Sequence, residues 1–403
     1  MTRRARMLLL ILCLPALAAW NAGCSMAPAA IAANGTHTPA PPTLTPTVAP
    51  PSPTATLTAT PQPTATNTAS PTATVTATAT ATATATPVPA ARRLTQGGCC
   101  FGPFWLDGQI VFIDKPSPKA TAGFYAVSPQ GGEPKLIEAR LGNFILGGRY
   151  FSYQDEQGNQ IIERRSDGQR LNLPTPAGLE DASGLSLSPD ATQVVWRISD
   201  SEGPFDQRQT QLWLAAAGSK DARKIITLYG GGLSAWLPDG RWLLSGRRAV
   251  EEAERALFVY DLASGQSTEL FRALSFRNLL LSPDGAWIAF TVTLDPKPER
   301  DGLWLVRTDG KEQRKLDFFG AYAWRDAGFL YYIPYQPAAN SHEIWAYHVA
   351  SGRSVRVTDA ALTPFKVAQG DLAFAPDGRS VVFVSASDLN LWLIPLPAEI
   401  ALP

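Results

Sequence analysis

One short stretch, repeated along the chain, limits what this protein can fold into. Residues 279–290 read Leu-Leu-Leu-Ser-Pro-Asp-Gly-Ala-Trp-Ile-Ala-Phe, two apolar runs joined by Ser282-Pro283-Asp284-Gly285. Pro283 presets the first turn angle, Asp284 suits the second, and Gly285 takes the left-handed conformation that ends the turn. Apolar runs on both sides of such a turn predict a β-hairpin. Related hairpins occur at 185–196, 234–244 and 372–384, and worn copies at 104–112, 144–151 and 322–332.

The turns fall at positions 107, 147, 190, 239, 284, 326 and 377, with successive differences between 40 and 51. That is close to the length of a four-stranded propeller blade, about 40–50 residues. A third apolar strand follows each hairpin, and four of these carry Trp at the same place: Trp213, Trp304, Trp345 and Trp392. The repeat predicts that Trp304 and its counterparts are core residues. A half-polar fourth strand follows, as at 314–316 and 354–358. Each unit alone has an apolar face it cannot bury, so radial stacking is the stable solution. After Trp392 the chain holds Pro395, Pro397 and Pro403, which cannot sustain a ladder. The missing fourth strand is supplied by residues 91–95 (Ala-Arg-Arg-Leu-Thr), which pair with 391–394 and remove an open edge. The expected fold is all-β: a seven-bladed β-propeller of four-stranded antiparallel blades over 91–403, its ring closed by the N-terminal strand.

The unit Leu281 to Phe290, followed by Leu303-Trp304-Leu305-Val306-Arg307-Thr308-Asp309-Gly310, resembles the repeat of TolB-type, WD-repeat-like propellers. The resemblance covers everything after the linker. It implies the propeller fold; such propellers host binding, scaffolding and enzymatic roles, so it does not fix a function.

Ahead of the propeller the chain changes character twice. Arg3, Arg4 and Arg6 precede an apolar run from Met7 to Trp20, the shape of a secretory signal. Ala22-Gly23-Cys24 resembles the end of a bacterial lipobox, which implies lipidation of Cys24, although Asn21 stands where Leu is usual. Cleavage after Ala16-Leu17-Ala18 and an uncleaved signal anchor are the alternatives. All three place the rest of the chain outside the cytoplasm, membrane-anchored or secreted. Residues 25–90 are Thr, Pro and Ala with almost no charge, a composition that cannot build a core and reads as an extended, disordered tether. The expected organisation is therefore a lipoprotein-type signal over 1–24, a linker over 25–90 and the propeller over 91–403.

Several chemistries are excluded. Lys plus Arg and Asp plus Glu both number 35, so no basic footprint for nucleic acid exists. There is no Gly-x-Ser-x-Gly elbow, no His/Cys cluster with metal spacing and no phosphate-cradling loop, and no cofactor is expected. Asp190, Asp239, Asp284 and Asp377 all sit in the same hairpin turn, and turn chemistry accounts for them. Cys99 and Cys100 are adjacent. They read as two small residues packed in the first connection, with a redox-sensitive clip as the alternative.

The connections are unequal. Within a unit the first-to-second and third-to-fourth turns are short, whereas the second-to-third connections and several between units are long. The added length falls on one face, and long loops on a rigid scaffold carry function. Candidate ligand contacts on that face are Glu202, Asp206, Arg208, Arg247, Arg248, Asp295, Arg300, Tyr335 and His342. The reading is a non-catalytic, monomeric binding or scaffold module for an envelope protein or glycan. The alternative is an enzyme acting on envelope polysaccharide, with Asp295, Asp301, Glu202 and Glu252 as the carboxylates available for an acid/base pair.

Overall fold

The computed structural model describes residues 90–402, apart from Ser183 and Ser201. The signal segment, Cys24 and the Thr/Pro linker lie outside the described residues.

The repeated turn builds itself from its own side chains. In 282–287 the Gly285 N–H donates to the Ser282 carbonyl (2.8 Å), and the Trp287 N–H to the Ser282 hydroxyl (2.9 Å). The Ser282 hydroxyl donates to Asp284 Oδ1 (2.6 Å), which also accepts the Ala286 N–H (3.1 Å). Gly285 has φ +72°, and a Cβ there would lie 2.6 Å from Pro238 Cδ in the preceding hairpin. The glycine is thus needed both for the turn and for the contact between neighbouring units.

Antiparallel sheets follow in chain order. β1 (Arg92–Arg93) opens the described chain. β2 (Phe101–Leu106), β3 (Gln109–Asp114), β4 (Gly123–Val127) and β5 (Lys135–Glu138) form a four-stranded sheet. β6 (Gly142–Ile145), β7 (Tyr150–Gln154) and β8 (Gln160–Arg164) form a three-stranded one. β9 (Gly184–Leu187), β10 (Gln193–Ser199), β11 (Gln209–Ala216), β12 (Ala222–Trp236), β13 (Trp242–Arg247), β14 (Arg255–Tyr260) and β15 (Ser267–Ala273) make a single seven-stranded sheet. β16 (Arg277–Leu281), β17 (Trp287–Val292), β18 (Gly302–Arg307) and β19 (Gln313–Lys315) form the next. β20 (Gly320–Trp324), β21 (Phe329–Pro334), β22 (Trp345–His348) and β23 (Arg353–Arg356) follow. β24 (Val367–Phe374), β25 (Ser380–Ser385) and β26 (Leu391–Pro395) take β1 as their fourth strand.

The expected β-propeller is the fold, but seven separate four-stranded blades are not what the hydrogen bonding gives. Among the described residues there are five discrete blades of three or four strands and one continuous seven-stranded sheet. The reason lies in β12. Its first half pairs with β11 and its second half with β13, and it passes from one to the other through Gly230-Gly231-Gly232 without leaving the ladder. A Cβ on Gly231 would lie 1.9 Å from the Ser245 carbonyl oxygen, so only glycine lets the backbones approach there. In the three-stranded blade the fourth strand shrinks to one bridge, Glu163 to Arg170. Pro174 and Pro176, which lack an N–H, follow at once.

The core lies between successive sheets rather than within any one. Phe290, Ile288 and Val306 pack against Leu257, Leu270 and Phe271 of the sheet before. Ala289, Leu303 and Leu305 pack against Leu330, Tyr332 and Tyr347 of the sheet after. Middle strands are therefore covered on both faces, and all of β17 is buried. The series returns on itself: Leu94, Ile110, Phe112 and Tyr125 meet Val382, Val384, Leu391 and Leu393. The expected closure by residues 91–95 is observed, with Arg92 opposite Leu393 and Arg93 opposite Trp392.

Two expectations need correction. Cys99 and Cys100 are not separately packed residues; they are joined in a disulfide. Trp213, Trp304, Trp345 and Trp392 are half-buried rather than core. Each indole N–H is held near the start of its own strand: Trp213 to Gln211 Oε1, Trp304 to the Arg300 carbonyl, Trp345 to Glu343 and Trp392 to Asp388. Among the described residues the fully buried tryptophan is Trp242 on β13, at 0 % exposure. Among the described residues no helix is long and apolar enough to cross a membrane.

Candidate ligand-binding face

Successive connections in an antiparallel sheet alternate between its two ends. One end carries 115–122, 200–208, 248–254, 293–301 and 335–344; the other carries tight turns such as 107–108 and 282–286. Large exposed apolar side chains gather at the long-loop end, among them Phe205, Val250, Leu274, Leu294, Phe319 and Tyr335. Leu294 is 84 % exposed and Tyr335 68 %.

At this end a cavity of about 300 Å³ opens between four connections, lined by Asp206, Arg247, Arg255, Leu274, Arg277 and Leu294 among others. Arg247 ends β13, Arg255 starts β14 and Arg277 starts β16. Arg247 donates through Nη1 to the carbonyls of Glu252 (3.0 Å) and Val250 (3.3 Å), and through Nη2 to that of Asp206. Its Nε is buried and has no partner. Arg255 lies over the exposed Phe205 ring, 5.2 Å from the centroid. Burial holds the Arg255 guanidinium below its ordinary pKa; nearby Asp206 opposes that shift and Arg247 adds to it. Among the described residues no carboxylate forms an ion pair with Arg247, Arg255 or Arg277. Three guanidiniums with one nearby acid leave an excess of positive charge and unfilled donors, the requirement for taking an anion.

A second cavity, about 390 Å³, lies on the flank between β15 and the β18–β19 pair, lined by Glu269, Arg272, Arg300, Trp304 and Gln313 among others. Its cations are already neutralised. Arg272 pairs with Glu269 (2.7 Å) and Glu252 (3.3 Å), and Arg300 with Glu254 (2.6 Å).

The residues singled out from sequence divide accordingly. Asp206 and Arg247 line the first cavity. Glu202 and Arg208 share the Asp206 connection, and Arg208 donates to the Gly203 carbonyl (3.0 Å). Arg248 is engaged elsewhere, donating to the Ser267 hydroxyl (2.6 Å) and lying over Phe258. Asp295 is buried, at 7 % exposure. Its two oxygens accept the backbone N–H groups of Leu274 (3.2 Å) and Lys297 (3.0 Å), and its own N–H donates to Asp301 (2.9 Å). Both acids therefore hold their loop. Glu252 pairs with Arg272. Tyr335 meets Phe319 edge to face at 6.1 Å. His342 accepts the Val367 N–H at Nδ1 (3.3 Å), and burial, aided by Lys366, holds its pKa below the usual imidazole value.

Arg255 and Arg277 were not apparent from loop composition, because each is the first residue of a strand rather than a loop residue. A signal was present. The third strand of this unit begins with a charged residue, Arg255, where the third strands of the other units begin with uncharged ones such as Gly302 and Trp345.

Neither a family model nor a curated protein matches this chain. Solved structures do. An oligogalacturonate lyase from Vibrio parahaemolyticus is 12 % identical with a TM-score of 0.53, covering 76 % of this chain and 93 % of that one. An oligogalacturonate lyase in complex with manganese is 14 % identical with a TM-score of 0.54, covering 78 % and 95 %. A TolB from Agrobacterium tumefaciens, described as putative, is 16 % identical with a TM-score of 0.37, covering 64 % and 90 %. At these identities the first two show a shared β-propeller fold.

Proposed function

We propose that this protein is a non-catalytic binding module outside the cytoplasm. It holds a protein or glycan on its long-loop face, anchored by a lipid on Cys24 and held clear of the membrane by the Thr/Pro linker. The observation that carries the reading is the cavity bounded by Arg247, Arg255 and Arg277, whose guanidiniums lack carboxylate partners among the described residues. Such a cavity favours a ligand that presents a carboxylate or another planar anion. Phe205 and Leu294 beside it offer apolar contact to the rest of that ligand. The test uses the full chain and a variant with Arg247, Arg255 and Arg277 each replaced by Gln, on immobilised acidic and neutral glycans and on solubilised envelope proteins. Retention of an acidic ligand by the parent alone supports the reading; equal retention by both overturns it. Cys24→Ser is expected to release the protein from membranes, and unchanged membrane association excludes the lipid anchor.

A second reading, an enzyme acting on polysaccharide, is favoured by the burial of Asp295 beside Asp301 and by the fold shared with the two oligogalacturonate lyases. Against it, both Asp295 oxygens already accept backbone N–H groups. Product formation from polygalacturonate by the full chain, abolished in Asp295→Asn, would establish it.

A further inference from the structure

Three side chains of metal-ligand type meet at the junction that closes the ring. Sγ of Cys99, Sγ of Cys100 and a carboxylate oxygen of Asp114 all lie within 4.8 Å of one another, and all three residues are partly buried. Among the described residues no other three His, Cys, Asp or Glu ligands gather this closely. The two cysteines come from the connection between β1 and β2, and Asp114 is the last residue of β3. Backbone hydrogen bonds hold the segment leading into the cysteines. The Cys99 N–H donates to the Leu389 carbonyl (2.8 Å), and the Gly98 N–H to Asn390 Oδ1 (3.2 Å). Thr95 places its hydroxyl 3.0 Å from Cys99 Sγ and 3.9 Å from Cys100 Sγ. One Asp114 oxygen accepts the Lys115 N–H (2.7 Å).

We propose that, in the dithiol form, Cys99, Cys100 and Asp114 bind a thiophilic divalent cation of the zinc class. The disulfide is then the form of the site that cannot bind it. Two thiolates and a carboxylate are a donor set for such an ion, with a fourth tetrahedral position left for water or the Thr95 hydroxyl. At a metal–sulfur distance of about 2.3 Å, two sulfurs on one tetrahedral ion stand about 3.8 Å apart. The two sulfurs are bonded to each other in the oxidised form, so reduction must let them part to that separation, with Asp114 beside them at the end of β3. A disulfide sulfur carries no thiolate charge and is a poor ligand, so oxidation state gates the site.

The chemistry balances in two steps. An external dithiol gives two electrons and two protons to the Cys99–Cys100 bond, yielding two thiols, and is itself oxidised to a disulfide. The cation then forms two metal–sulfur bonds and releases the two thiol protons. Because Thr95 and Asn390 stand beside the site and join the two ends of the described chain, a bound ion also stabilises ring closure. The proposal is independent of the anion-binding reading of the Arg247 cavity.

The test uses Co²⁺ and Zn²⁺ on the full chain carrying Cys13→Ser and Cys24→Ser, so that only the paired cysteines supply thiols. The chain is reduced with a phosphine, which is then removed. The reduced chain is expected to bind about one Co²⁺, with a thiolate-to-cobalt charge-transfer band and a raised melting temperature in Zn²⁺. The oxidised form of the same chain shows neither. Asp114→Asn lowers affinity by about tenfold or more, and Cys99→Ser with Cys100→Ser abolishes the band. No charge-transfer band in the reduced chain, or equal binding by the oxidised chain, overturns the proposal without depending on whether any variant folds. Unchanged affinity in a folded Asp114→Asn chain removes Asp114 from the site.

Discussion

The Leu391 backbone N–H donates to the Thr95 hydroxyl across 2.9 Å and a sequence separation of 296 residues. Next to it the Leu94 N–H donates to the Leu391 carbonyl (2.7 Å), and the Thr95 hydroxyl donates to Asn390 Oδ1 (3.3 Å). Thr95 and Asn390 are both buried, at 4 % and 3 % exposure. Two residues of β1 make a short ladder, and this side-chain knot reinforces it. Thr95→Val keeps the shape and strands a buried donor, so it is expected to cost about 1–3 kcal/mol. Deleting 91–95 exposes the whole edge of β26 and is expected to lower the melting temperature much further. Calorimetry of both chains checks this; an unchanged melt in the deletion shows that closure contributes nothing.

One worn turn carries a measurable penalty. Ala191 stands where Gly285 and Gly240 stand in other copies, and it has φ +59°, the left-handed region. Alanine is strained there, while glycine is not but loses more freedom on folding. Ala191→Gly is expected to stabilise the protein by about 0.5–1 kcal/mol. Urea midpoints of the two chains decide it; a loss of stability would mean that the methyl group makes a contact worth more than the strain.

The two kinds of tryptophan are expected to behave differently. Trp242 is fully buried and packs against Trp236 at 5.5 Å. Trp242→Ala is expected to cost about 3–5 kcal/mol. Trp304 is half-buried, against Phe271 at 4.7 Å, with its indole N–H on the Arg300 carbonyl. Trp304→Ala is expected to cost less, and to loosen 293–301 as judged by amide exchange. Equal losses in stability would place Trp304 in the core after all.

His342 gives the protein a pH-dependent element. Its Nδ1 accepts the Val367 N–H, which requires the neutral ring at that atom. Burial and Lys366 lower its folded pKa below 6.5, the ordinary value. The unfolded chain therefore takes up the proton first. Stability from this residue is complete above about pH 6.5 and falls as the pH drops through the folded pKa. His342→Gln is expected to flatten the difference between urea midpoints at pH 7.5 and pH 5.5. An unchanged difference assigns the acid sensitivity to other groups.

The fold was legible because its units are local. A Pro-Asp-Gly turn between apolar runs is decided by four residues, and Ser282, Asp284 and Gly285 satisfy it with their own atoms. The spacing of such turns then implies stacked sheets, and the missing last strand implies closure by residues 91–95. The candidate site was legible only in outline. Loop length pointed to the right end of the sheets, and Asp206 and Arg247 do line the cavity there. Arg255 and Arg277 complete it from strand ends, and Asp295, one of the four acids singled out by sequence, holds backbone instead.

What the sequence determined by itself was thus everything that short-range chemistry decides: turns, strands, their period and the order of the units. Tertiary structure alone decided three further things. It ran β12 through two ladders, because whether three glycines make a loop or a continuous strand depends on Ser245 lying against Gly231. It left three arginines without carboxylates, because ion pairing depends on which loops meet across sheets. And it brought Cys99, Cys100 and Asp114 together with Thr95, because the two ends of the ladder must pair before a site between them exists.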